Sequence, residues 1–208
     1  MAVVEWFLKG GLIMWPILLL SIVGVAIIIE KYILLSNVQK YMNTFWDKVN
    51  ILIKQNDIKG AINLCLNDKS PASQIFYQGL RKVKFGHDRV KEAMEAAGRE
   101  EVYKMQRGMT LLATIAGVAP MIGFLGTVTG LSSAFMVIES LQGAVSPGDL
   151  AGGIYQALIT TIFGLFVGIP CLIFYNLLNM KMKRIILKME YDASEILDLL
   201  QEQQITNQ

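Results

Sequence analysis

The residues of this chain that could do chemistry are hydroxyls placed inside apolar stretches. Thr127 and Thr161 lie in the second and third of three such stretches, and neither stretch contains an Asp, Glu, Lys, Arg or His. A neutral hydroxyl coordinates a passing ion but stores no charge, so a pathway through hydrocarbon needs a titrating group from another chain. Pro120 and Pro170 each free a carbonyl one turn earlier, which suits a kinked, hydrated path. The hydroxyls therefore either wall an ion pathway completed by a partner helix, or bond only to their own helix in a passive scaffold.

Small residues surround these hydroxyls and predict close helix contacts. Gly126 and Gly130 form one G-x-x-x-G pair, and Gly164 and Gly168 form another. This spacing lets two helix backbones approach closely. The contact lies either within one helical bundle or between neighbouring subunits, and we expect Gly126 and Gly164 to face a neighbouring subunit.

The elements that must position these residues are three membrane-spanning helices. Residues 10–29, 108–138 and 150–180 carry no acid or base and are 20, 31 and 31 residues long, in a chain that is 53% hydrophobic. At 1.5 Å per residue the two longer stretches make roughly 46 Å of helix, against a hydrocarbon core of about 30 Å. The sequence therefore predicts an all-α membrane protein whose second and third helices extend beyond the bilayer.

The basic residues predict the orientation of these helices. Residues 30–107 contain 14 of the 19 Lys and Arg, and residues 181–208 contain four more, whereas the loop at 139–149 contains none and Lys9 alone precedes the first span. Lys and Arg are retained on the cytoplasmic side within short connections. We therefore expect an outward-facing segment at 1–9, a cytoplasmic domain at 30–107, a periplasmic loop at 139–149 and a cytoplasmic C-terminal helix at 181–208.

The cytoplasmic segment is predicted to be helical throughout. Asp57 and Ser70 are typical N-cap residues, and Pro71 suits a first helical turn. The helical period from Asp88 continues without a proline into Met109, which predicts one uninterrupted helix entering the membrane. An apolar stripe in the tail should pack on a neighbour; it comprises Ile185, Met189, Ala193, Ile196 and Leu200.

Several functional classes lack any supporting pattern. The net charge is +2 and no nucleic-acid-binding signature occurs. His87 is the only histidine and has no metal-ligand spacing, while Cys65 and Cys171 lie in a polar and an apolar segment that predict no disulfide. Phosphate-binding and nucleophile motifs are also absent. We therefore expect no enzyme activity, no metal, no cofactor and no nucleic-acid partner.

With these residues read, the chain resembles the MotA/TolQ/ExbB proton-channel family, and most closely its short three-helix ExbB and TolQ members. The resemblance covers nearly the whole sequence. Three blocks of sequence carry it. In the second span, L-A-T-I-A at residues 112–116 is followed by A-P-M-I-G-F-L-G-T-V-T-G at residues 119–130. In the third span, A-L-I-T-T-I-F-G-L-F-V-G-I-P at residues 157–170 is followed by Tyr175 and Asn176, and A-A-G-R-E at residues 96–100 precedes the second span.

This resemblance implies a channel-forming subunit of an ion-driven motor in the bacterial inner membrane. Helices two and three would line the pore of a homo-pentameric ring. A dimer of ExbD- or TolR-like subunits would place its single helices in that pore and supply the missing Asp. Proton flow would then do work on an envelope protein of the TonB or TolA type.

The resemblance also assigns the ion-pathway residues. Thr127 and Thr161 match hydroxyls that face the partner's Asp, and Thr160 lies beside them. Gln156 stands where ExbB and TolQ members often carry Glu, so a second pore-facing carboxylate is missing here. The competing interpretation is a membrane scaffold that assembles into a ring and conducts nothing. The sequence leaves open whether the ion is H⁺ or Na⁺ and which envelope process is energised.

Overall fold

The computed structural model describes residues 2–68, 70–144 and 146–206, and within these ranges the chain is all helical with no strand. The helices are α1 (Ala2–Lys9), α2 (Met14–Lys54), α3 (Ile58–Asn67), α4 (Pro71–Leu80), a 3₁₀ turn (Val83–Phe85), α5 (His87–Gln106), α6 (Met109–Ser140) and α7 (Pro147–Thr206).

Three segments of the described chain are long and apolar enough to cross a membrane: Met14–Lys54, His87–Ser140 and Pro147–Glu202. The second and third segments contain the predicted spans 108–138 and 150–180, whereas the first begins at Met14, four residues after the start of the predicted span 10–29. The three apolar segments and the absence of strands among the described residues confirm the predicted all-α membrane fold. Each helical segment is longer than its apolar stretch, which leaves polar helical turns beyond the apolar part.

The prediction of one uninterrupted helix into the second span was wrong. Helix α5 ends at Gln106 and α6 begins at Met109, with Gly108 at a φ of +87°. This left-handed conformation closes a helix and strongly favours glycine. Gly108 therefore ends one helix and precedes the next, although no proline stands between them.

The chain divides into two units. The spanning unit comprises residues 1–30 and 108–177, and the polar unit comprises 31–107 and 178–208. The helices α2 and α7 contribute to both units. The division falls near the ends of the three apolar stretches, so the spanning unit contains most of each stretch.

The polar unit begins its short helices as the sequence predicts. Asp57 accepts a hydrogen bond from the Gly60 N–H at 2.9 Å, and the Ser70 hydroxyl oxygen accepts one from the Ser73 N–H at 3.2 Å. Pro71 occupies the first turn of α4. These side chains satisfy N–H groups that the first helical turn leaves unpaired.

An aromatic cluster and the tail stripe form the core of the polar unit. Phe76 of α4 lies 6.1 Å from Phe45 and 6.0 Å from Trp46, both on α2, measured between ring centroids. The stripe residues that α7 buries are Ile185, Met189, Ile196 and Leu200. The tail stripe therefore packs inside the chain's own polar unit.

Candidate ion pathway and its helix interface

Helices α6 and α7 pack in the spanning unit with their backbones almost touching. A Cβ atom added to Gly130 would lie 2.7 Å from the Gly153 carbonyl oxygen, and one added to Gly164 would lie 2.7 Å from the Ala119 oxygen. Real Cβ atoms do not approach a carbonyl so closely. The pairing runs antiparallel along both helices, because Gly130 meets the start of α7 while Ala119 meets its middle.

These contacts correct the expectation that the glycine pairs face a neighbouring subunit. Gly126 packs on the Thr160 side chain, and Gly164 packs on Gly123, all within one chain. A Cβ on Gly168 would lie 2.5 Å from Cγ of Pro120, so this glycine accommodates the proline ring. The G-x-x-x-G pairs therefore hold α6 against α7 of the same molecule.

Thr160 belongs to this packed interface. Its side chain is fully buried, and its hydroxyl lies 2.9 Å from the Ala157 carbonyl oxygen and 3.1 Å from that of Gln156. One hydroxyl hydrogen is shared between these two carbonyls of its own helix. Thr160 thus fills the space above Gly126 and presents no free donor.

Thr161 and Thr127 use their hydroxyls in different ways. The Thr161 hydroxyl donates across the interface to the Gly123 carbonyl oxygen of α6, at 3.1 Å. The Thr127 hydroxyl donates to Phe124 of its own helix, at 2.6 Å, and lies on an exposed face. Thr127 thus follows the own-helix alternative, whereas Thr161 does not. Both oxygens keep lone pairs that can accept a hydrogen bond.

The electrostatics of the described spans agree with an incomplete pathway. No Asp, Glu, Lys, Arg or His occurs between Met109 and Ile138 or between Leu150 and Met180. Beyond these stretches, two hydrogen bonds from Ser146 lower the pKa of Asp149. The second and third spans therefore hold hydroxyls and carbonyls for an ion but no carboxylate to carry it. No cluster of His, Cys, Asp and Glu suited to a metal occurs among the described residues.

Gln156 lies in a place that the sequence did not indicate. Its amide nitrogen donates to the Gly10 carbonyl oxygen, at 3.5 Å, in the turn that joins α1 to α2. A Cβ on Gly11 would lie 2.6 Å from that same nitrogen. The adjacent glycines ahead of an apolar stretch were the available signal for a close contact, but nothing local identified Gln156 as their partner.

Comparison with known proteins identifies the family to which the residues of this interface belong. Residues 67–191 match the MotA/TolQ/ExbB proton channel family, a range that contains both small-residue helix faces. The chain belongs to this family. Its class is a channel and transport class rather than an enzyme class, and with three apolar spans the protein is a multi-pass membrane protein.

Individual relatives extend the match over most of the chain. The biopolymer transport protein ExbB-like 3 of Synechocystis sp. is 33% identical over 171 residues, 81% of each chain. The Tol-Pal system protein TolQ of Haemophilus influenzae is 29% identical over 213 residues, 93% of this chain and 90% of its own. The biopolymer transport protein ExbB of Xanthomonas campestris is 38% identical over 109 residues, 52% of this chain and 43% of its own. The resemblance seen in the motifs is therefore confirmed.

Proposed function

We propose that this chain is the channel-forming subunit of an inner-membrane motor that couples proton flow to work on an envelope partner. The observation that carries the proposal is the α6–α7 interface. It lies within the family-matched residues, is packed too tightly for larger side chains, and is bridged by the Thr161 hydroxyl. Interhelical hydrogen bonds also occur where membrane helices only pack together, so the family match is what connects this bridge with a channel.

The missing carboxylate supports a partner helix in the pathway. We propose a homo-pentamer whose α6 and α7 helices surround a dimer of single-helix, ExbD- or TolR-like subunits that supply an Asp. Relatives of this chain carry the names biopolymer transport protein and Tol-Pal system protein. These names support an envelope protein of the TonB or TolA type as the energised component.

The proposed orientation follows the basic residues. Residues 1–9 and 139–149 face outward, and residues 30–107 and 181–208 face the cytoplasm. A proton therefore enters from the end of the spanning unit that holds Glu139 and Asp149. Inward proton flow drives the work on the envelope partner. Each proton that crosses a membrane potential of 100 mV supplies about 2.3 kcal/mol.

The proposed transfer step uses the acceptor and donor capacity of Thr161. A protonated partner Asp is neutral and donates its O–H to a lone pair of the Thr161 hydroxyl while it passes the apolar wall. When the Asp releases its proton inward, the Thr161 hydrogen turns from the Gly123 carbonyl toward the new carboxylate. A charged acceptor forms a stronger hydrogen bond than a neutral carbonyl, which favours this exchange.

The test compares threonine-to-valine variants whose lost hydroxyls had different hydrogen-bond partners: the neighbouring helix for Thr161, and their own helix for Thr127 and Thr114. In proteoliposomes containing the complex with its single-helix partner, we expect Thr161→Val to reduce proton flux at least about tenfold, since loss of a polar partner for a buried charge costs about 1.5–3 kcal/mol. Thr127→Val should reduce flux less. Thr114→Val is the matched control, because the Thr114 hydroxyl donates to Thr110 of its own helix at 2.9 Å.

Flux at the wild-type level from an intact Thr161→Val complex would contradict the proposed role of Thr161. A wild-type complex that assembles with its partner but passes no protons under an imposed potential would favour the non-conducting scaffold. Native mass spectrometry of the same preparation determines subunit stoichiometry and so tests the pentamer directly.

A further inference from the structure

The turn between α1 and α2 contacts α7 within the spanning unit. Gly10 is buried, and the Gln156 amide donates to its carbonyl oxygen at 3.5 Å. In an apolar environment an unpaired carbonyl is costly, so a side-chain donor at this position stabilises the turn. The bond joins residues 146 positions apart in the sequence.

The absence of a side chain at Gly11 leaves room for the Gln156 amide. The φ of Gly11 is +72°, a conformation that L side chains rarely adopt. A Cβ at this residue would also collide with the Gln156 amide nitrogen, at 2.6 Å. Both the backbone conformation of the turn and the position of the Gln156 amide therefore require glycine at residue 11.

Further contacts surround this bond on both sides. The Lys9 ammonium lies 5.1 Å from the centre of the Tyr155 ring, which is within the range of a cation–π interaction. A Cβ at Gly10 would lie 3.3 Å from Cγ2 of Ile159. We call the contacts of Lys9, Gly10 and Gly11 with Tyr155, Gln156 and Ile159 the N-terminal clasp.

The clasp is connected to the hydroxyls of the interface through the backbone of Gln156. The Gln156 carbonyl accepts from the Thr160 hydroxyl at 3.1 Å, and Thr161 follows with its bond to Gly123. The Gln156 side chain thus contacts the turn while its main chain begins the helical turn that bears both threonines.

We propose that Gln156 is a positioning residue that fastens the α1–α2 turn onto α7, and not a member of the ion pathway. Its amide acts as a donor to Gly10 and holds the start of the threonine-bearing turn. Only the consequence for the threonines rests on the proposed function; the clasp itself is a property of the single chain. A glutamine suits this position because an ionised glutamate has no hydrogen to donate.

The clasp is tested by hydrogen–deuterium exchange on the full chain in nanodiscs. Gln156→Met keeps a side chain of similar length but removes the donor. We expect the amides of Gly11 and Met14, whose own bonds close the turn, to exchange about twofold to fivefold faster, because the 3.5 Å bond from Gln156 lies at the weak end of the range for hydrogen bonds. The matched control is Gln201→Met, a change at an exposed glutamine on the same helix. Unchanged exchange in Gln156→Met would overturn the clasp.

A double-mutant cycle separates the direct contact from a general loosening. Gly11→Ala places a methyl group against the amide, whereas in a Gln156→Ala background that space is open. We therefore expect the two changes together to accelerate exchange less than the product of their separate effects. Independent effects, which multiply, would show that Gly11 and Gln156 do not contact each other and would overturn the assignment.

Proton flux in the complex distinguishes positioning from a place in the pathway. We expect Gln156→Met to keep most of the flux and an unaltered pH profile, in contrast to Thr161→Val. Flux as low as that of Thr161→Val with unchanged exchange at the turn would make Gln156 a pathway residue and overturn the proposal. Faster exchange in Gln156→Met with full flux in Thr161→Val would leave the clasp standing and contradict the proposed function.

Discussion

Helix α7 packs in two different ways along its length. In the spanning unit it contacts α6 through glycines and through carbonyl oxygens, as at Gly164 and Ala119. In the polar unit it contacts α2 through long side chains: Lys181 donates to Ser36 at 2.7 Å, and the Lys188 ammonium lies 6.0 Å from the Trp46 ring centre.

The difference follows from the solvent that the helices displace when they pack, which is water in the polar unit and hydrocarbon in the spanning unit. Against water, burying Ile or Met on α7 gains free energy because apolar surface leaves water. Against hydrocarbon, that gain is absent, and helices associate by close packing and polar bridges. The contacts of α7 with α6 in the spanning unit therefore use small residues, whereas its contacts with α2 in the polar unit use longer side chains.

The largest expected effect comes from removing a side chain in the polar unit. Ile196 is fully buried there. We expect Ile196→Ala to lower the free energy of unfolding of this unit by about 2–5 kcal/mol, because it removes apolar burial and leaves a cavity. Thermal unfolding of the purified protein, with proteolysis to locate the opened segment, measures it. Leu187→Ala, at an exposed position of α7, is the control.

An intermediate effect is expected from adding a methyl group in the spanning unit. In Gly164→Ala the new Cβ meets the Ala119 oxygen at 2.7 Å, so two backbones must separate. We expect a loss of about 1–3 kcal/mol in an SDS-unfolding assay. Gly117→Ala is the matched control on α6, since a Cβ there meets no atom within 4 Å. Equal stability of the two variants would contradict the tight α6–α7 contact.

The smallest expected effect concerns a buried charge in the polar unit. Asp192 is fully buried, with Oδ1 2.7 Å from the Lys188 ammonium. Burial raises the pKa of Asp192, Lys188 opposes this, and Glu195 and Asp47 add to it. Because the folded pKa lies above the unfolded one, this group binds more protons when folded. Its ionisation therefore lowers stability as pH rises through the folded pKa.

We accordingly expect Asp192→Asn to stabilise the protein at pH 7 by up to about 1 kcal/mol and to lose this advantage as pH falls toward the unfolded pKa. Melting temperatures across this pH range measure it, with Asp198→Asn, at an exposed residue of the same helix, as control. A wild-type protein more stable than Asp192→Asn at neutral pH would show that the Lys188 pair outweighs the cost of burial.

Much of the fold was predictable because local rules dominate it. The absence of charges located three spans, and Asp57 and Ser70 marked helix starts through their own side chains. The break at Gly108 was missed because a glycine beside an apolar run fits both a continuing helix and a left-handed stop. Only the φ of +87° distinguishes them.

The candidate site was predictable by type but not by contact. Thr161 was selected from family-like motifs, and the structure gives its hydroxyl a partner 38 residues away. Gln156 was placed with the pathway residues because ExbB and TolQ members often carry Glu at this position, five residues before Thr161. The contact of Gln156 with Gly10 depends on how the α1–α2 turn packs against α7. The spacing of residues within either segment does not predict this long-range contact.

By itself the sequence determined which segments are helical, which are apolar enough to span a bilayer, and that no acid or base lies within the second and third spans. These properties depend on residues a few positions apart. Only the tertiary structure decided that the glycine faces meet within one chain, and that Thr127 bonds to its own helix while Thr161 bonds to α6. The two residues are chemically identical, so the carbonyl that each hydroxyl reaches depends on the approach of the neighbouring helix, which long-range packing sets.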